Sequence, residues 1–142
     1  AKGYTDAIMQ AGLENITIVG DDFTFQNGYL ETKLLLQQKK WPTAILTFSN
    51  TIAMGCMKAL KEENVHIPND ISLITFDDHP YLDYLSSPLS CIEQPVSDIS
   101  KIAVKFLVSK IRNFEVKTTQ VLLKPTLKLR ESIRKISGPA SA

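Results

Sequence analysis

Several features common in enzymes, membrane proteins and nucleic-acid binders are scarce or missing in this chain of 142 residues. It has two cysteines, Cys56 and Cys91, at a separation that fits neither a metal site nor a redox motif. Thiols so placed read as small core residues of a protein kept in a reducing compartment. The net charge is +1, with Lys and Arg scattered, so there is no basic stripe of the kind a nucleic-acid surface needs. The densest basic run, Lys124 to Lys135, alternates with apolar residues and reads as solvated strand faces. No apolar run approaches the ~20 residues that cross a bilayer. There is no phosphate loop and no Gly-x-Gly-x-x-Gly. The two histidines are His66, in a Val-His-Ile-Pro turn, and His79. Neither accompanies a Ser or Cys at a recognisable nucleophile elbow. Asp77-Asp78-His79 is a poor metal site, because adjacent residues on one loop seldom all face one ion. No catalytic residue, metal ligand or cofactor is expected.

What is present is a regular alternation of short β-rich runs with helical spacing. Tyr4, Ala7, Ile8 and Ala11 recur with helical period, and Gly12 stops that helix. Ala1-Lys2-Gly3-Tyr4 reads as a helix already under way, so a longer chain is expected before it. Ile16–Val19 is predicted as a strand. A helix follows over Gln26–Lys39, with Leu30, Leu34 and Leu35 inward. Thr43–Phe48 is a near-continuous apolar run, expected for a strand covered on both faces. Asn50 is the predicted cap of the next helix, whose inner face is Ala53, Cys56, Met57 and Leu60. Strand Ile71–Phe76, a loop with a helical turn over Asp78–Tyr84, and extended Ser90–Gln94 come next. Pro95 opens a long helix with Ile99, Ile102, Ala103, Phe106 and Lys110 on one stripe. Gln120–Leu123 and Leu127–Arg130 are predicted as closing strands around Pro125, before a small polar tail that is expected to fray.

This order calls for an α/β fold, a parallel sheet with helices on both faces and right-handed crossovers. Ligands of such sheets bind beyond the carboxyl ends of the strands. Those ends hold Phe23, Ser49 with Asn50, Asp77 with Asp78, and Gln94. A carboxylate accepts from two hydroxyls, an amide both donates and accepts, and an aromatic face covers the apolar side of a sugar ring. Each residue has a plainer use as well. The Asp pair or Asn50 can cap a helix, Phe23 can be core, and Gln94 can satisfy a buried backbone group. Their coincidence at four strand ends favours a site for a polyol or sugar.

Phe48-Ser49-Asn50-Thr51-Ile52-Ala53-Met54-Gly55 and Ile67-Pro68-Asn69-Asp70-Ile71-Ser72-Leu73-Ile74-Thr75-Phe76-Asp77-Asp78 resemble the lactose-repressor/galactose-repressor family of bacterial transcription regulators. Pro88 to Pro95 and Leu129-Arg130-Glu131-Ser132 continue the likeness in order, so that it covers the chain to about Ile133. The resemblance implies a periplasmic-binding-protein-like type I fold, with residues 1–88 in its C-terminal lobe. It implies that 89–117 are a crossover strand and helix of the N-terminal lobe, that 118–133 return to the C-terminal lobe, and that 134–142 are a flexible tail. The crossover helix would then lack the sheet it packs on. Among site residues, the resemblance implies that Asp77 binds effector hydroxyls, Phe23 forms an aromatic wall, and Gln94 contacts the effector from the crossover strand. Ser49 stands where the family has an Asn contact, and its shorter side chain cannot make the same two-point contact. Asn50 stands where an Asp caps the helix. The family's effector-clamping Arg would fall just before Ala1.

The resemblance also implies a homodimer, with Ile52, Met54, Gly55, Met57, Tyr81, Tyr84 and Leu85 at its C-lobe interface. Core packing is the competing use of the Met and Ile positions. The expected partners are a small-molecule effector, a sugar by its chemistry, and operator DNA reached only through a separate N-terminal domain. The expected compartment is the cytoplasm, with no membrane. A periplasmic sugar-binding protein of a transporter shares the fold and is the rival reading. The Leu129–Ser132 block favours the regulator. An α/β hydrolase or nucleotidase would need a nucleophile or a metal cluster.

Overall fold

The computed structural model describes residues 2–18, 20, 22–112 and 120–136. Helices α1 (Lys2–Gln10) and α2 (Phe25–Leu36) precede strand β1 (Ala44–Thr47). Helix α3 (Asn50–Glu62), strand β2 (Ser72–Phe76), a 3-10 turn over Pro80–Tyr84 and strand β3 (Ser90–Glu93) follow. Helix α4 (Val96–Arg112) and strand β4 (Thr126–Lys128) complete the order.

The strands form one sheet in the order β1-β2-β3-β4. β1, β2 and β3 are parallel, whereas β4 runs antiparallel to β3, with Glu93 opposite Thr126. The sheet is therefore mixed, and the carboxyl ends of the first three strands share one edge with the start of β4. The chain leaves this edge after Glu93 and comes back to it at Thr126. The family resemblance implied that Ser90–Gln94 belongs to the other lobe. Here Ser90–Glu93 is hydrogen-bonded between β2 and β4, inside this sheet.

Two expected strands are absent among the described residues. Ile16–Ile18 run without a sheet partner, and the Ile16 carbonyl accepts instead from the Tyr4 hydroxyl at 3.2 Å. Gln120–Leu123 likewise carry no ladder, and Leu122 is 86% exposed. A β-rich run forms a strand only where a neighbour accepts its backbone groups. For the same reason β1 is an edge strand in which Thr47 alone is buried, not a strand covered on both faces. Val19, the end of the expected crossover segment over 113–117, its return at Thr118 and the tail from Ser137 lie outside the described residues.

The core lies on α3, β2 and β3. Leu60, Ile71, Leu73, Leu82, Leu89 and Cys91 are almost fully buried, together with Ala53 and Cys56 from the predicted inner face of α3. Met57 packs against this core from its margin. Burial pushes the Cys56 thiol up to about 11, so this cysteine is protonated and inert at neutral pH. Helix α2 begins at Thr24, whose hydroxyl accepts from the Asn27 N–H at 3.1 Å. It turns Gly28, Thr32, Leu35 and Leu36 inward, while Leu30 and Leu34 stay 48% and 56% exposed. The inward face is thus rotated from the expected one, because α2 packs on α3 through the Gly28–Ile52 and Gly55–Phe25 crossing and not on a sheet.

The crossing of α2 with α3 depends on two glycines. A Cβ on Gly55 would sit 2.1 Å from the Phe25 carbonyl oxygen, and one on Gly28 would sit 2.4 Å from that of Ile52. Gly55 is therefore buried against a neighbouring helix and has no side chain to offer an interface, which corrects its expected place on the dimer face.

Helices α1 and α4 bury no residue fully. The accessible surface of the chain is 10555 Å², against about 7300 Å² for a compact monomer of this mass. Helix α4 contributes to the excess, with Val96, Val104, Leu107 and Ile111 each about 60% exposed or more. The stripe of Ile99, Ile102, Ala103 and Phe106 faces the segment 120–125 across a groove of about 550 Å³. Ile102 and Phe106 are half-buried there, so the returning segment partly covers the stripe that was expected to stand bare. No helix among the described residues is long and apolar enough to cross a membrane.

Replacing Gly55 by Ala should lower stability by about 1–3 kcal/mol, since the crossing helices must separate to admit one methyl group. A urea titration reads this as a lower midpoint, and an unchanged midpoint would contradict the close crossing.

Candidate functional site

Three strand ends meet at the shared edge of the sheet. After β2 the backbone turns sharply at Asp77, which has φ 73°. This left-handed conformation is unfavourable for most side chains, but Asp tolerates it better than most. The Asp77 N–H donates to the Ile92 carbonyl at 3.0 Å, which fixes the turn against β3. The Gln94 side-chain amide, just past β3, donates to Asp77 Oδ1. Asp77 Oδ2 has no partner among the described residues. The structure thus brings Asp77 and Gln94 together at the carboxyl edge.

After β1 the roles of Ser49 and Asn50 are exchanged relative to the sequence expectation. Ser49 is the cap of α3, its hydroxyl accepting from the Ile52 N–H at 3.2 Å. Asn50 is the first helical residue, and its side-chain oxygen lies 3.4 Å from the fully buried Thr75 hydroxyl. The extended backbone of Ser49 suits a cap, whereas Asn50 already has helical geometry. Asn50 therefore faces the end of β2, beside the Asp77 turn. Phe23 is 69% exposed, on the segment entering α2, and does not join the core.

Asp78 is used differently from Asp77. Its Oδ2 accepts from Lys128 at 2.7 Å, and its Oδ1 accepts from Arg130 Nη2 at 2.8 Å and from the Cys91 thiol at 3.3 Å. Burial disfavours the charged form of Asp78, but the Lys128 and Arg130 contacts outweigh it and hold the carboxyl well below its ordinary value. Lys128 also reaches Glu93 at 3.0 Å, joining the two strands where the chain leaves and re-enters the sheet. Arg130 further donates to the Leu89 carbonyl at 2.8 Å and to Asp83. Only 12% of its side chain is exposed, so the basic run near the C-terminus is more than a solvated strand face.

Ser132, fully buried, accepts from the Ser90 N–H at 2.8 Å and donates to the Leu73 carbonyl at 2.6 Å. Sequence reading used Leu129–Ser132 only as a family mark and missed this network. The available signal was the Asp77-Asp78 pair itself, since two adjacent carboxylates at a strand end repel each other and favour a nearby cation.

His79 caps the 3-10 turn, its Nδ1 accepting from the Tyr81 N–H at 3.4 Å, and its ring lies 4.4 Å from that of Tyr81. Tyr84 is 86% exposed, whereas Tyr81 and Leu85 lean on the core. Ile52 and Met54 are half-buried on α3. No group of three metal-binding side chains occurs among the described residues.

The sheet is predominantly parallel, its polar side chains gather at the carboxyl edge, and the chain leaves and re-enters the sheet at that same edge. Residues 1–133 match the periplasmic binding protein-like domain. The chain belongs to that family, as part of an effector domain of the LacI/GalR type. It is 39% identical over 134 residues to a ribose operon repressor of Haemophilus influenzae, an alignment covering 93% of this chain and 40% of that protein. A regulatory protein of the LacI family from Chloroflexus aggregans has 34% identity and a TM-score of 0.82, over 94% of this chain and 49% of the other. A LacI family transcriptional regulator from Lactobacillus casei, solved with bound sucrose, has 26% identity and a TM-score of 0.77, over 92% of this chain and 49% of the other. The chain spans about 40% of the length of the curated relatives it matches.

Asp78→Asn should cost about 1.5–3 kcal/mol at neutral pH through weakened charge-assisted bonds to Lys128 and Arg130. A depressed carboxyl contributes its stability above its ordinary value, 3.8, and loses it as the pH falls toward the folded value. The gap between wild type and variant should therefore be widest above about pH 5 and close on acidification. Denaturation midpoints across pH measure this, and a gap independent of pH would contradict it.

Proposed function

We propose that this chain is the sensing part of a bacterial transcriptional regulator that binds a sugar and acts by binding, not by catalysis. The observation that carries the reading is the Asp77–Gln94 pair at the ends of β2 and β3, whose second carboxylate oxygen would accept a sugar hydroxyl. Asn50 and Ser49 at the end of β1 complete the polar edge, and Phe23 supplies an apolar face for a sugar ring. Likeness to a ribose operon repressor supports a pentose such as D-ribose as effector, and supports the regulator over the transporter-binding protein.

The mechanism is a population shift. The chain crosses the site edge at Gln94 and returns at Pro125, so a sugar held by Asp77 and Gln94 favours the closed arrangement of the lobes on either side of those crossings. Operator DNA is bound by another part of the full-length protein, in the cytoplasm. A homodimer transmits closure through the 3-10 turn, where exposed Tyr84 projects beside Tyr81 and Leu85, with Ile52, Met54 and Met57 from α3.

In the full-length protein that carries this chain, the sugar response of operator binding can be followed by fluorescence anisotropy with D-ribose and other pentoses and hexoses. Asp77→Ala should raise the sugar concentration required by about tenfold or more, the loss of one charge-assisted contact. Sugar-free operator affinity should stay within about twofold, too small a change to reflect a lost contact. An unchanged sugar response would remove Asp77 from the site.

A further inference from the structure

Arg130 lies two residues past β4, yet its side chain reaches the turn after β2 as well as the start of β3. Its Nη2 meets Asp78, just before the 3-10 turn, and its Nε meets Asp83 within that turn, while its Nη1 meets the Leu89 carbonyl and the Cys91 sulfur where the chain re-enters the sheet. Its own N–H donates to the Ser90 hydroxyl at 2.8 Å, which seats the backbone of Arg130 on β3. The guanidinium is thus spent on the protein and leaves no free fork for a ligand.

The consequence falls on Asp77. Its peptide N–H is fixed by Ile92 and its neighbour Asp78 is fixed by Arg130 and Lys128, so the left-handed backbone between them has no loose end. In that conformation the Asp77 carboxylate accepts from the Gln94 amide. Without the cations on Asp78, the residue pair can relax toward the ordinary extended or helical regions, which most side chains prefer. That relaxation would swing the Asp77 carboxylate away from Gln94.

We propose that Arg130, assisted by Lys128, is a positioning residue of the effector site, holding Asp77 against Gln94 through Asp78 without touching the ligand. The assignment rests on the reading of Asp77 as the effector contact. It makes the strand returning from the crossing a determinant of sugar affinity, because a shift of β4 relative to β3 moves Arg130 and Lys128 together.

The test reads the ligand-free chain by the NMR signal of the Gln94 side-chain amide in 15N-labelled protein. Asp77→Ala supplies the signal of Gln94 without its acceptor. Arg130→Gln should move the Gln94 signal at least half of the way toward that position. A role confined to stability would lower the melting temperature and leave the Gln94 signal at its wild-type place, and that result would overturn the proposal. Should Arg130→Gln fail to fold, Lys128→Gln carries the test. It removes the cation from Asp78 Oδ2 and leaves Arg130 in place, so the Gln94 signal should move in the same direction, and an unmoved signal would overturn the proposal equally. Failure of the effector reading is visible elsewhere. A sugar response that survives Asp77→Ala would end that reading, while the Gln94 signal would still decide whether Arg130 positions Asp77.

Discussion

The ion pair between Arg130 and Asp78 is the constraint on which the functional edge of this sheet depends. It joins a residue 52 positions away in sequence to the turn that follows β2, and it does so where both side chains are mostly out of water. A buried charge is tolerated only when paired and hydrogen-bonded, so each partner obliges the other. Ser132 acts beside it in the same way with neutral groups. Its hydroxyl bridges the Leu73 carbonyl and the Ser90 N–H, one position before the β2–β3 ladder begins at Ile74 and Ser90. Left unpaired, these two backbone groups would each cost about 1–3 kcal/mol. The returning segment therefore closes the sheet and sets the geometry of its carboxyl edge in one stroke.

The other end of the molecule is under different constraints. Two glycines allow α2 and α3 to approach to backbone contact, and the α3–β2–β3 core is apolar and tightly buried. Helices α1 and α4 share none of that burial. α4 carries apolar residues around most of its circumference, and the 120–125 segment covers only one stripe of it. An amphipathic helix draws its stability mainly from the face it buries, so α4 is the element whose environment should differ most between this chain and a full-length relative. Since α4 begins two residues after Gln94, any movement of that helix is felt first at the Asp77–Gln94 contact.

Much of this was legible in the sequence because local signals agreed with the tertiary outcome. The apolar run into Phe76, the helical spacing of Ala53, Cys56 and Leu60, and Pro95 before a long helix all fixed elements that formed. Strand-end logic placed Asp77 and Gln94 together, and they are hydrogen-bonded. The misreadings have physical causes. Ile16–Ile18 and Gln120–Leu123 have strand composition, but a strand also requires a neighbour, which composition does not encode. Leu30 and Leu34 are apolar at helical spacing, yet Gly28 and Gly55 decide which face of α2 packs, and glycine contributes nothing to a hydrophobic pattern. Ser49 and Asn50 are both good caps, and one residue of helix phase determines which of them serves. Arg130 and Ser132 were beyond reach of local reading because their partners lie 39 to 59 residues away.

The central claim is that ligand recognition sits at the carboxyl edge of this sheet, on the Asp77–Gln94 contact held by the returning strand. Mapping amide chemical-shift changes in the isotopically labelled full-length protein on addition of D-ribose tests it most directly. The account predicts that the largest changes fall at Asp77, Gln94 and Ser49–Asn50, with Arg130 following, and that the outer face of α2 and α3 around Tyr29, Lys33 and Glu62 stays unmoved. Shifts centred on that outer face, with Asp77 and Gln94 silent, would contradict it.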